Sequence, residues 1–207
     1  MTDHRPIHPR WIVVAAVVAL VSIAPLAAQQ ETVAEAPTMD EMMEAWMESA
    51  EPGEHHAHLA PFAGRWTAEI SMWMEPGAEP SMSHAKTEAQ WVLGGRYLEW
   101  IHAGEFAGMP FEGRQMDAYN NVEQRYESTW ADNFGTPILY YMGHCEENGT
   151  VRTLHGEFTD PMSGQTVSQR AVYTWQDDDH WTYESYMAMG DGEEFKNMEI
   201  RYTRVTD

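Results

Sequence analysis

The chain has 207 residues, of which 43% are hydrophobic and 12% aromatic. That is enough for one domain with a real core, and too apolar for intrinsic disorder. A formal net charge of −21 disfavours nucleic acid and anionic membranes as partners, and Gly and Pro follow no period, which excludes collagen-like and solenoid architectures.

Residues Trp11 to Leu26 are an apolar run interrupted only by Ser22, preceded by Arg5 and Arg10 and followed by Ala27-Ala28-Gln29. This order of basic, apolar and small residues is that of a secretory signal peptide over residues 1–28, with cleavage after Ala28. The run is shorter than the roughly 20 residues of a membrane span. Leu26 stands where a small residue is usual, so a retained anchor is the alternative. Cleavage leaves 10 basic against 32 acidic residues, a net charge of −22. The expected location is the periplasm or the exterior of a bacterium, with no stable membrane association after cleavage. Residues 29–37 are rich in Ala, Glu and Pro and read as a flexible linker.

Residues 38–63 read as a helical segment. Thr38-Met-Asp-Glu41 has the spacing of a capping box. Met39, Met42, Met43, Trp46, Met47 and Ala50 follow at helical intervals, opposite Asp40, Glu41, Glu44 and Glu48. Such a Met/Trp face suits a lid across a barrel mouth or a gate over a ligand. Glu51-Pro-Gly53 breaks the helix, and a second short helix runs from Glu54 to Ala63, where Gly64 stops it.

From Gly64 to the end, at residue 207, the pattern predicts about ten strands. They are Arg65–Glu75, His84–Leu93, Arg96–Phe106, Phe111–Tyr119, Arg125–Asn133, Thr136–Glu146, Thr150–Phe158, Gln165–Gln176, His180–Met189 and Phe195–Arg204. Gly94-Gly95 and Asn148-Gly149 are hairpin signals. Short turns between consecutive strands give an up-and-down antiparallel meander, which tends to close and so remove its edges. The alternative is an open sheet with the helices on one face. Cys145 alternates with apolar residues in its strand and reads as a buried, inert thiol without a disulfide partner.

The segments Met43–Trp46, Glu51-Pro-Gly53, His56-x-x-Leu59, Gly64-x-Trp66, Trp91-x-Leu-Gly-Gly-Arg96 and Gly108-Met-Pro-Phe-Glu-Gly113 form a familiar series. It continues through Tyr119-x-Asn121, Ser128-Thr-Trp130-x-Asp-Asn133, Gly135-Thr136, Asp160-Pro-x-x-Gly164, Arg170, Glu184-x-Tyr186 and Lys196-x-Met-Glu-Ile-x-Tyr-x-Arg204. Together they resemble the bacterial domain-of-unknown-function family 1579, secreted proteins with a calycin-like or lipocalin-like barrel. Arg65 departs from the threonine more usual before the tryptophan. The resemblance implies a mainly β fold, an antiparallel up-and-down calycin-like β-barrel with N-terminal helices. It implies no reaction and no agreed ligand, so function must be argued from residues.

Arg170, Glu184, Tyr186 and Lys196 are the most suggestive polar group. A hairpin centred near Asp178 places residue 170 opposite 186 and 172 opposite 184, making Arg170 and Glu184 diagonal neighbours. Met198, Ile200 and Tyr202 share a parity with Lys196, which favours an inward-facing cluster. Trp130 shares a parity with Tyr126, Ser128 and Asp132 and is the candidate stacking or core ring. These five residues, Trp130, Arg170, Glu184, Tyr186 and Lys196, form the expected ligand site.

His55, His56 and His58 lack a third fixed ligand for zinc, so no metal is expected. Haem is a minor option, with His102, His144, His155 and His180 in or near strands and nothing to select one; no cofactor is expected. Asp177-Asp178-Asp179 reads as a solvated hairpin tip. No nucleophile elbow, zinc-protease helix, phosphate loop or dinucleotide fingerprint is present. Three functions remain open. One is a barrel holding a small, mostly apolar ligand. Another is an enzyme using the Arg170/Glu184 pair. The third is a packed structural barrel.

Overall fold

Side chains alternate inward and outward along ten consecutive strands, and the sheet they form closes on itself. In the computed structural model the structure describes residues 36–146 and 148–206. The expected signal peptide, residues 1–28, and residues 29–35 of the expected linker lie outside them. The strands are β1 (Gly64–Met72), β2 (Ser81–Val92), β3 (Tyr97–Phe106), β4 (Met109–Asn120), β5 (Arg125–Asp132), β6 (Leu139–Cys145), β7 (Val151–Thr159), β8 (Thr166–Asp177), β9 (His180–Met189) and β10 (Phe195–Arg204). Each pairs antiparallel with its neighbour in sequence, and β10 returns to pair with β1, setting Trp66 opposite Arg204 and Ile70 opposite Ile200. The expected antiparallel barrel is therefore present and closed, and the open-sheet alternative is not.

The expected turns differ in one detail. Gly94-Gly95 is not a two-residue hairpin, because Leu93, Gly94 and Gly95 are all left-handed in a wider loop between β2 and β3.

Helix α1 spans Met39–Ser49 behind the predicted capping box: the Glu41 amide donates to Thr38 Oγ1 and the Thr38 amide to Glu41 Oε2. The second predicted helix is two shorter pieces, α2 (Glu54–Ala57) and a 3-10 turn over Ala60–Phe62. These pieces carry Leu59 and Phe62 into one end of the barrel, where both are buried. At that floor the Trp66 indole donates to the Phe62 carbonyl at 2.9 Å. Burial of rings this size stabilises by roughly 1.5–3 kcal/mol each.

Among the described residues, no helix covers the other end. Helix α1 does not act as a lid there. Its end is tied to the floor side, where Asn121 Nδ2 donates to the Ser49 and Glu51 carbonyls. No residue of α1 is buried, and Met39, Met43, Trp46 and Met47 are more than half exposed. No helix among the described residues is long and apolar enough to cross a membrane.

Two devices adjust the barrel wall. Register shifts occur between Lys196 and Met198 and between Trp175 and Asp177, and such bulges reset which residues face inward. Gly143 stands where β6 crosses close to β7: a Cβ there would collide with the Thr153 carbonyl oxygen.

Arg204, at the end of β10, closes the floor. Its Nη1 and Nη2 donate to the carbonyls of Ala63 and Pro61 at 2.9 and 2.8 Å, and its guanidinium lies 4.0 Å from the Trp66 ring centre. Arg204→Ala is expected to lower unfolding free energy by about 1–3 kcal/mol, the range for losing charged hydrogen bonds and a ring contact. A urea titration followed by tryptophan fluorescence checks this; an unchanged midpoint would remove Arg204 from the closure of the floor.

Candidate functional site

The inward positions of the upper barrel do not fill it. They leave a cavity of about 360 Å³, within the roughly 300–1,000 Å³ usual for small-molecule sites. Near the uncovered end its walls are Met72, Phe106, Phe111, Trp130, Phe134, Leu139, Phe158 and Met198; deeper they are Thr87, His102, Gln115, Ser128, Tyr141, Gln169, Tyr173, Trp181 and Tyr202. The mouth is thus apolar and aromatic, and the depths carry neutral polar groups on rings.

His102 is the unusual member. It sits in the middle of β3, directly opposite Thr87 of β2. Its Nδ1 lies 3.0 Å from Thr87 Oγ1, and Thr87 in turn reaches the Tyr202 phenol. Its ring lies parallel to that of Trp100 and 5.1 Å from Trp130. His102 Nε2 is buried and has no hydrogen-bond partner among the described residues. Buried polar atoms are nearly always paired, so this atom needs explaining. Burial pushes the imidazole down to about 4, with Asp117 pulling weakly the other way. The ring is therefore neutral at ordinary pH.

Beneath the cavity lies a charge pair that sequence reasoning missed. Arg152 of β7 and Asp117 of β4 are both buried, with Nη2 2.7 Å from Oδ2. Asp117 also accepts from the Trp100 indole at 3.2 Å and from Gln115 Nε2 at 2.8 Å. The guanidinium lies 4.2 Å from the Tyr173 ring centre and is flanked by Phe62 and Tyr126. A buried pair survives only with such added hydrogen bonds. The clue was present in parity: Arg152 alternates with Leu154, and Asp117 with Gln115 and Gly113, on strands expected to bury one face.

The expected inward cluster faces outward. The predicted register is present, with Arg170 opposite Tyr186 and Val172 opposite Glu184. Arg170, however, pairs with Glu194 and stacks on Tyr186 at 4.0 Å, while Lys196 pairs with Glu184 and Glu199. The cause is the bulge at Asn197. Lys196 faces Tyr186 on the outer surface, but Met198 faces buried Ser185. One extra residue reversed the parity used to infer direction. Arg170 and Glu194 border an open outer groove with Tyr140, Met142 and His155. Trp130 lies where expected, on the inner face. It lines the cavity, and its indole donates to Asp132 Oδ2 at 2.7 Å.

The three N-terminal histidines have structural partners. His56 is buried and its Nδ1 accepts from the Gly53 amide; His58 Nδ1 lies 2.8 Å from the Tyr126 hydroxyl; His55 stacks on Tyr119. Among the described residues no group of three His, Cys, Asp or Glu side chains could hold a metal. Of the four strand histidines, His102 alone lines the cavity. Cys145 is half-buried, and burial raises its thiol above the ordinary value.

The sequence profile of the family described as protein of unknown function DUF1579 matches residues 51–204. Among solved structures, Rv2717c from M. tuberculosis aligns with a TM-score of 0.55 at 15% identity, over 75% of this chain and all of that one. An S-type phycobiliprotein lyase, CPES from Guillardia theta, aligns at 0.49 and 11% identity, over 75% and 99% of the two chains. Rv2717c shares the barrel fold of this chain. Among curated proteins, none matches this chain.

Two outcomes test the interior. Asp117→Asn strands the Arg152 charge, and a loss of about 3–5 kcal/mol in unfolding free energy is expected. The joint change Asp117→Leu with Arg152→Met should recover most of it; a double mutant as unstable as the single one would contradict this. The second concerns His102. Its folded value near 4 lies below the ordinary 6.5, so the unfolded chain binds the extra proton between those pH values. Stability should rise with pH across that window, by about 3 kcal/mol in all, and be lost again as pH falls toward 4. His102→Phe should flatten this dependence in thermal melts taken from pH 4 to 7.

Proposed function

Because the chain belongs to the DUF1579 family, whose fold brings no reaction with it, we propose from its interior that it is a secreted or periplasmic binding barrel. It holds one small, mostly apolar ligand in the upper cavity. The observation that carries this is the buried His102 Nε2, left without a partner beside an apolar space. A barrel evolved only for packing gains nothing from an unpaired polar atom in its core. Trp130 and Phe111, nearly parallel at 6.2 Å, supply a ring face for the ligand near the mouth. The basic, apolar and small-residue order of residues 1–28 supports export, and the acidic surface fits a soluble carrier without stable membrane association.

An enzyme built on Arg170 and Glu184 has less support. Each has a different partner on the outer wall, at 30% and 29% side-chain exposure, where water screens charge and no substrate is enclosed.

Native mass spectrometry of residues 29–207, purified from a bacterial periplasm, should show an added mass that is lost on denaturation. Ser83→Trp, which fills the cavity from its wall, should abolish that adduct while leaving the circular dichroism of the barrel unchanged. An adduct that survives Ser83→Trp would place the ligand elsewhere.

A further inference from the structure

The chemistry of the occupant can be narrowed, on the premise that the cavity is the binding site. No Lys or Arg lines the cavity among the described residues; the charged groups on its wall are Glu105 and Asp132, toward the mouth. Both Asp132 oxygens accept hydrogen bonds, from the Trp130 indole and the Phe134 amide. The Arg152 guanidinium, the nearest interior cation, is already paired with Asp117 beneath. A ligand carboxylate or phosphate would therefore enter past acidic side chains and find no counter-charge. The tyrosines of the wall stay protonated, since burial raises Tyr141, Tyr173, Tyr183 and Tyr202 above the ordinary phenol value. The cavity wall thus offers no cation, and two buried atoms on it lack a hydrogen-bond partner among the described residues, His102 Nε2 and Trp181 Nε1.

We infer that the ligand is an uncharged, flat and largely apolar alcohol or ketone, whose oxygen pairs with His102 Nε2 while its rings lie against Trp130. Several other polar groups of the deep wall are already engaged: Tyr141 donates to Gln169 at 2.6 Å, Gln169 to Ser185 at 2.6 Å, and Gln115 to Tyr173 and Asp117. A second polar group on the ligand would have to break one of these or reach the Trp181 indole N–H. Thr87 holds Nδ1, so the imidazole cannot turn its other nitrogen inward. Depending on which nitrogen carries the proton, Nε2 donates or accepts. A hydroxyl satisfies either state; a ketone satisfies only the donor.

Five naphthalene probes of one shape test this: 2-ethylnaphthalene, 1-(2-naphthyl)ethanol, 2-acetylnaphthalene, 2-naphthoate and 2-naphthylmethylammonium. Their affinities are read by quenching of the protein's tryptophan fluorescence and by calorimetry. The alcohol, the ketone or both should bind about ten- to a hundredfold more tightly than the ethyl compound, the range for pairing one buried polar atom. The ketone's rank reports the His102 tautomer. In His102→Phe the advantage should vanish while the ethyl compound still binds, which shows the cavity intact. His102→Gln should restore part of it. Equal affinity of the ethyl and oxygenated probes in the wild-type protein overturns the inference and leaves the binding-barrel reading standing. Tightest binding by the naphthoate or the ammonium also overturns it. Failure of all five removes the binding-barrel reading and this inference together.

Discussion

Ten strands enclose a bore wider than their own side chains can fill, and the molecule is a response to that constraint. The lower half is solved by importing material. Leu59 and Phe62 enter from the segment before β1, and the rings of Trp66, Trp100, Trp175 and Trp181 lock around them. The upper half receives no such plug from the described residues. Its small inward residues, Ala68, Ser83, Ala85 and Gly104, leave space that larger ones would have closed.

Between the halves sits the Asp117–Arg152 pair. It faces two demands at once. It must not cost more than the packing it replaces, which its hydrogen bonds to Trp100 and Gln115 and its ring contacts address. It also gives the interior one fixed polar layer, so that Gln115 and Tyr173 have defined partners. The polar atoms above that layer therefore have little freedom, which is a condition for discriminating among ligands of similar shape.

Much of the architecture was legible in the sequence. All ten strands, the capping box at Thr38 and the β8–β9 register follow from turn residues and period-two alternation. The direction in which a face points was less legible. Around the β8–β10 hairpins both faces carry aromatics, so hydrophobicity could not choose. The bulge at Asn197 then broke the alternation that linked Lys196 to Met198 and Tyr202. A bulge depends on backbone hydrogen bonds that one-letter patterns do not encode. Trp130 was found because its strand has no such interruption. His102 was one of four equivalent histidines in the sequence. Only closure of the sheet, which sends His144 and His155 outward on β6 and β7, singles it out.

The seam between β1 and β10 has a consequence for how the chain acquires its shape. Trp66 and Arg204 are neighbours in space yet stand in the first and the last strand. Every other strand pairing is local, so β1 to β9 can zip up as hairpins while the polypeptide is still being made. The last pairing must wait for the final residues and carries a large loop-closure cost. Until then β1 presents a bare edge, open to pairing with another copy. The strong acidity of the chain opposes such encounters by mutual repulsion. The charge that disfavours nucleic acid and anionic membranes as partners thus also protects an unfinished barrel from its own kind.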